Sequence, residues 1–463
     1  MMIRFGPGRR LDLGPALILL LIFLVVLWLV GGASRADVLG QAIVRGVSWL
    51  LIVAALVFVS WRHTPPSKAL CAILAAIAAI PLLQLIPLPA DLWGKLPGRQ
   101  ALLLSNDLSG RPDAWRPVSI SPGPTLNAVL SLVVPFATVL LVCGLRPRER
   151  AMLPGILLGF ILACALLGLL QVSGANINNP FVNDMPGQVG GTFANRNHFA
   201  LLLAVGCLVA PVWAFLDGRR PGWRGAFAFG AVLLFLLLLL AVGSRAGVLL
   251  GGLALVLAVL AVRKSVGREL RRAPAWAGPV LGGVSVLSLT TILLLSVLTN
   301  RAQSLDRILD EEVSNTSRIE ALPTMLDMAA ASFPIGYGLG TFDQSYRIHE
   351  PAGALNYKYL NHAHNDYIEI ALDSGLLGIL VLVAALSWWA QASVRAWKSR
   401  KATAGDAARL GSSILLLVAV ASLFDYPART PIIMMLSALS ACWLSGIAGV
   451  ERHSSLPPNR ERI

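Results

Sequence analysis

The segment Asn361-His362-Ala363-His364-Asn365-Asp366-Tyr367 concentrates groups that can move protons. A neutral imidazole with an unperturbed pKa of about 6.5 can take a proton from a hydroxyl group, which is the work of a general base. His362 and His364 are both candidates. Asp366 stands four residues after His362, so a helix starting early would pair the two across one turn. Helix capping and solvation are the plainer reading of both histidines. A metal site is not expected, because two histidines two apart lack the i, i+4 spacing of HExxH and no third ligand stands nearby.

Two arginine segments precede this loop. In Gly190-Gly191-Thr192-Phe193-Ala194-Asn195-Arg196-Asn197-His198-Phe199 an irregular stretch turns into an apolar run. A helix starting there offers unpaired N–H groups and a positive dipole end, and the Arg196 guanidinium would complete a phosphate site. A plain Asn195 cap with a surface arginine would look similar. In Gly243-Ser244-Arg245-Ala246-Gly247 an arginine interrupts apolar sequence running from Ala226 to Val262. One continuous helix would bury Arg245 near a membrane centre at a cost of at least about 2.5 kcal/mol. Two short spans joined by a tight turn would place it at an edge, and a snorkelling arginine is the simple alternative.

These residues need a scaffold, and the composition says which kind. Hydrophobic residues make up 56% of the 463 and charged residues only 13%, against about 25% charged in an ordinary soluble domain. Apolar runs of about 17 to 25 residues recur along the chain, each long enough to cross a hydrocarbon layer about 30 Å thick as a helix. The expected spans are 15–32, 43–61, 69–87, 126–145, 152–172, 198–216, 225–242, 245–262, 276–298, 367–391, 409–424 and 431–449. The fold class is therefore an all-α polytopic membrane protein of about twelve transmembrane helices, one integral domain over 1–463. The first span reads as an uncleaved anchor rather than a signal peptide.

The net charge of +14 does not require nucleic acid. With the N-terminus inside, most basic residues gather in short segments on the cytoplasmic side, around Arg9–Arg10, Arg146–Arg150, Arg219–Arg224, Arg263–Arg272 and Arg395–Arg409, as membrane topology demands. The segments 88–125, 173–197 and 299–366 then lie outside. The first, with Trp93 and Trp115, reads as an interfacial loop with its rings at headgroup level. The third is a large periplasmic loop between spans 9 and 10 holding Asn315-Thr316-Ser317-Arg318-Ile319-Glu320, where Asn315 or Ser317 can cap a helix that ends at Pro334. The glycines of Pro334-Ile335-Gly336-Tyr337-Gly338-Leu339-Gly340 follow no strand, so they are not read as a nucleotide loop. The five cysteines fall inside spans with no CxxC spacing and read as packing residues. Residues 451–463 form a short cytoplasmic tail.

Taken together, GTFANRNHFA, GSRAG, NTSRIEA followed by GYGLGTF, and HAHNDYIEIALDSGLLG resemble the successive blocks of the O-antigen ligase and polymerase superfamily, over most of the chain from about residue 120. That resemblance implies a GT-C-like membrane fold in the bacterial inner membrane and a metal-independent, cofactor-free inverting glycosyltransferase facing the periplasm. The donor would be a glycan on undecaprenyl diphosphate and the acceptor lipid A-core or another glycan. Carried over by position, Arg196 and Arg245 would hold the donor diphosphate and Arg318 would be a further phosphate or acceptor contact. His364 would be the base, with His362 a second candidate, supported by Asn195, His198, Asn365 and Asp366. Ligase is the leading expectation. A polymerase of O-antigen or exopolysaccharide, or a protein O-oligosaccharyltransferase, differs mainly in acceptor. A secondary transporter, from another class, would show inverted repeats, and none is visible.

Overall fold

The computed structural model describes residues 2–4, 10–60, 67–108, 110, 113–175, 177, 179–182, 188–216, 220–272, 274, 276, 279, 283, 320–355, 360–399 and 402–446. Its principal helices are α1 (Pro15–Val30), α2 (Leu39–Phe58), α3 (Lys68–Gln84), α4 (Pro122–Ser131), α5 (Val133–Gly144), α6 (Leu153–Val172), α7 (Arg196–Ala214), α8 (Trp223–Val242) and α9 (Arg245–Leu270). After these come α10, described over 320–332, then α11 (Phe342–His349), α12 (Asp366–Lys398), α13 (Ala402–Ala421) and α14 (Pro431–Ser445). Short antiparallel pairs join Met2–Arg4 to Arg10–Asp12 and Pro87–Leu88 to Arg116–Pro117.

Among the described residues, seven helices are long and apolar enough to cross a membrane, α4 and α5 counting as one, and three shorter apolar helices accompany them. The chain is a multi-pass membrane protein. Every expected span carries a helix except 276–298, which lies almost wholly outside the described residues, as do Arg318, the expected Asn315 or Ser317 cap and the tail.

The helices surround α7, which is apolar on all sides and almost wholly buried, as a helix without a polar face must be. It packs against α6, α8, α9 and α13, while α1, α2, α5 and α14 close the other flank in one continuous core. Gly247 lets α9 approach α7, since a methyl there would meet Ala200 Cβ at 2.5 Å. The run from Ala226 to Val262 is indeed two helices. Gly243 ends α8 in the left-handed conformation (φ 68°), and the Ser244 hydroxyl caps α9 by accepting the Gly247 N–H, so Arg245 opens a helix at an edge.

Segments expected on the same side do meet. At one end the Glu149 carboxylate accepts the backbone N–H groups of Gly14 and Arg146. At the other, the turn after α1 accepts the N–H of Ala194 at Gly32 and of Ile432 at Gly31, and the Asp366 N–H bonds the Ser422 carbonyl. The candidate residues are gathered at this second end.

The glycine-rich stretch 334–340 is a docking element. Gly336, Gly338 and Gly340 all have positive φ, and a Cβ on Gly336 would meet the Asp373 backbone at 2.7 Å. The stretch lies on the kink of α12 at Gly375 (φ 53°, ψ −139°). There the N–H groups of Tyr337 and Gly338 bond the carbonyls of Leu372 and Asp373, and the Gly340 N–H bonds the Asp373 carboxylate.

Segment 88–125 differs from expectation. Trp115 is exposed, but Trp93 is buried, with its Nε1–H donating to the Pro117 carbonyl at 2.7 Å. The cause is Arg99, which is fully buried between the rings of Trp93 and Tyr337 and donates to the carbonyls of Val118 and Gly336. Burial pulls its guanidinium down to about 10. This arginine bolts the first long segment to the glycine stretch. Arg99→Met, which leaves both carbonyls without their donor, should lower stability by about 2–3 kcal/mol. The check is the thermal unfolding midpoint of the detergent-solubilised protein, which should fall.

Candidate functional site

The gathered residues converge on a carboxylate that sequence reasoning did not select. Asp425 lies in the turn between α13 and α14 and is 3% exposed. Its Oδ2 accepts the side-chain amides of Asn195 (3.0 Å) and Asn197 (2.8 Å), from the N-terminus of α7. Its Oδ1 accepts the Tyr426 N–H (3.0 Å) and pairs with His364 Nδ1 (3.2 Å). Burial works to raise the Asp425 carboxyl, but the hydrogen bond from His364, the nearby His198 and the Asn197 amide prevail and hold it well below the usual carboxylate range. An ionised carboxylate on Nδ1 orients the imidazole. The other ring nitrogen of His364 has no partner among the described residues.

His364 also carries φ 49°, the only positive value on a non-glycine residue among those described. A β-carbon makes this region costly, by about 1–3 kcal/mol where the surroundings enforce it. The enforcement is visible on both sides. The Ala363 N–H donates to Glu369 Oε2 (2.9 Å), and Asn365 caps α12 through the N–H groups of Tyr367 and Ile368 while its amide reaches the Leu423 carbonyl.

His362 belongs to a second histidine–carboxylate pair. Its Nδ1 lies 2.8 Å from Glu369 Oε1, so the expected pairing with Asp366 is replaced by one seven residues on. The reason is that α12 begins only at Asp366, leaving His362 in the loop, where it reaches the next inward carboxylate of the helix. Asp366 instead accepts the Ser422 hydroxyl (2.8 Å). Arg429 lies among three α12 carboxylates, 2.9 Å from Glu369, 3.5 Å from Asp373 and 3.8 Å from Asp366. Burial opposes its charge, yet these neighbours outweigh that and hold its guanidinium above its ordinary value. The Tyr426 ring lies between the pairs, its centroid 4.2 Å from that of His362 and 5.0 Å from that of His364.

His198 is 1% exposed, bonded through Nδ1 to the Thr430 hydroxyl and through Nε2 to the Asn195 amide, which gives it a framework role. Arg196 and Arg245 each open a helix, α7 and α9. The two helix starts are tied together by the Ser244 hydroxyl donating to Asn197 Oδ1 (2.8 Å). Arg245 is exposed and Arg196 half-buried. The structure thus joins Asn195, His198, His362, His364, Asn365 and Asp366 through direct bonds or a shared neighbour, with both arginines on the adjoining helix ends. Sequence reasoning missed Asp425, Tyr426, Arg429 and Glu369. The available signal was two charged residues in the short polar run Asp425-Tyr426-Pro427-Ala428-Arg429-Thr430-Pro431 between two apolar spans.

Because the carboxyl of Asp425 is lowered on folding, its contribution to stability is fully present above its ordinary value of 3.8 and lost as pH falls through the folded value. The thermal midpoint of Asp425→Asn should therefore lie below that of the parent by a constant margin from neutral pH down to about pH 5. The margin should close only in stronger acid. A midpoint scan against pH for both proteins reads this directly.

Residues 229–383 match the family model described as O-Antigen ligase, and no curated protein matches the chain. The matched stretch runs from α8 to the middle of α12 and contains Arg245, His362, His364, Glu369 and Asp373, with Arg196 and Asp425 outside it. Over this stretch, about a third of its length, the chain is similar to the O-antigen ligase family.

Proposed function

We propose that the chain transfers a glycan from undecaprenyl diphosphate to an acceptor hydroxyl on the periplasmic side of the inner membrane, most simply as an O-antigen ligase with lipid A-core as acceptor. The observation that carries this reading is the Asp425 carboxylate, which joins His364 to the helix start bearing Arg196 and, through Asn197 and Ser244, to the one bearing Arg245. A proton acceptor and an anion-binding helix pair are thereby parts of one bonded assembly.

In this reading the acceptor oxygen attacks the anomeric carbon from the face opposite the diphosphate. The bond from that carbon to the diphosphate oxygen breaks with inversion, and undecaprenyl diphosphate departs. The hydroxyl proton passes to Nε2 of His364, and the ionised Asp425 stabilises the imidazolium that forms. Arg196, Arg245 and the N–H groups of two helix ends face the charge that develops on the leaving diphosphate. Arg318, outside the described residues, is kept as a further phosphate or acceptor contact. No step calls for a metal or cofactor.

His364→Ala should reduce transfer from an undecaprenyl diphosphate-linked glycan by about 10²–10⁴-fold at normal membrane expression, the range of a positioned base. The Arg196→Ala, Arg245→Ala double variant should lose at least about 10²-fold. Normal lipopolysaccharide ladders from the double variant would exclude the diphosphate assignment. A deletion strain separates the acceptors: accumulated lipid-linked polymer marks a ligase, whereas single repeats mark a polymerase.

A further inference from the structure

Arg45 is an arginine inside an apolar helix whose hydrogen-bond partners among the described residues are neutral. It lies on the second turn of α2, which begins four residues before the expected span. Its guanidinium donates to Asn127 Oδ1 of α4 (2.6 Å) and to Gln41 Oε1 (3.2 Å), and its Nε–H is buried without an acceptor. Among the described residues no carboxylate pairs with it. The arrangement is built from both sides. Gln41 is 3% exposed, and its amide nitrogen donates to the Ala33 carbonyl, which turns its oxygen toward Arg45. The neutral amides bring it no counter-charge, and an ionisable group within a membrane span calls for a counter-charge or a function.

The surroundings indicate what could supply that counter-charge. Arg45 borders an apolar face where Trp49, Leu50 and Val53 of α2 and Leu126 and Leu130 of α4 are exposed, and a Cβ on Gly46 would meet nothing within 4 Å. This is the surface a hydrocarbon chain covers. In the other direction, the turn after α1 that receives Gln41 at Ala33 also receives the Ala194 N–H at Gly32, next to the Asn195 cap and Arg196. A ligand with an apolar tail and a phosphate head would lay the tail on the exposed face and set the head on the guanidinium, whose fork suits phosphate oxygens.

We propose that Arg45, held by Gln41 and Asn127, is a membrane-level site for a lipid phosphate, through which such a lipid enters sideways between α2 and α4. The phosphate can come from a polyprenyl diphosphate or from an anionic phospholipid headgroup. The first source rests on the transferase reading, where this would be the donor's point of entry.

The test is lipid retention by the purified full-length protein in nanodiscs, with labelled undecaprenyl diphosphate in one arm and labelled phosphatidylglycerol in the other. Arg45→Gln should weaken retention roughly tenfold in at least one arm, with the thermal midpoint as folding control. Loss in the first arm alone identifies the polyprenyl diphosphate, and loss in the second identifies the headgroup. Should Arg45→Gln fail to fold, Arg45→Lys carries the test: it keeps the charge but not the fork, and retention should fall severalfold. Retention unchanged in both arms overturns the proposal and leaves Arg45 as a snorkelling residue. The readout is retention rather than turnover, so it can succeed or fail independently of the transferase reading, which the His364→Ala transfer assay tests.

Discussion

The structure at the candidate site depends on one buried carboxylate that gathers donors from distant parts of the chain. Asp425 accepts amides from the start of α7, an imidazole from the loop before α12 and its own neighbour's N–H. Left unpaired, a charge at this depth would be prohibitive, so the helix ends and the loop are tied to the turn that carries it. The same turn supplies Arg429 to the α12 carboxylates and the Tyr426 ring to both histidines. A nine-residue stretch between two apolar helices thus determines where three other segments end.

Two histidine–carboxylate pairs stand side by side, and they differ in their surroundings. Besides His364, Asp425 accepts amides and an N–H and has His198 Nε2 4.0 Å away, whereas Glu369 shares one oxygen between His362 and Arg429. A proton taken up by His364 in the transferase reading would meet a carboxylate that, among the described residues, no guanidinium or ammonium engages. One arriving at His362 meets a carboxylate already engaged by a guanidinium. In the proposed transfer this asymmetry, more than the position of either histidine in the chain, would separate the two candidates for the base.

Much of the scaffold could be read from hydrophobic runs, because a helix in lipid must satisfy its own backbone and so declares itself over some twenty residues. The break at Gly243-Ser244 was legible for the same reason: a left-handed glycine followed by a capping hydroxyl is local chemistry. What escaped was non-local. Asp425 is separated from Asn195 by 230 positions and from His364 by 61, and no periodicity links them. An indole in a Pro- and Gly-rich segment suits the interface, and nothing in the sequence shows Arg99 turning inward to bury Trp93 or sets Arg45 apart at the edge of an expected span. His362 was paired with the nearest acid in the chain rather than with the one the helix start brought into reach.

The left-handed backbone at His364 has a consequence for how this loop can vary. Glycine would adopt that conformation freely but would bring no imidazole, and Asn or Asp, which tolerate it better than most side chains, also lack the ring. The position is therefore locally frustrated: the residue that suits the backbone and the one that pairs with Asp425 are different, and neighbouring bonds must hold the compromise in place. Since those bonds anchor Ala363 to α12 and Asn365 to the α13–α14 turn, the spacing across the loop has no slack. Adding or removing one residue between 361 and 366 would rotate both imidazoles away from their carboxylates together. The loop can change in composition at Asn361, but scarcely in length.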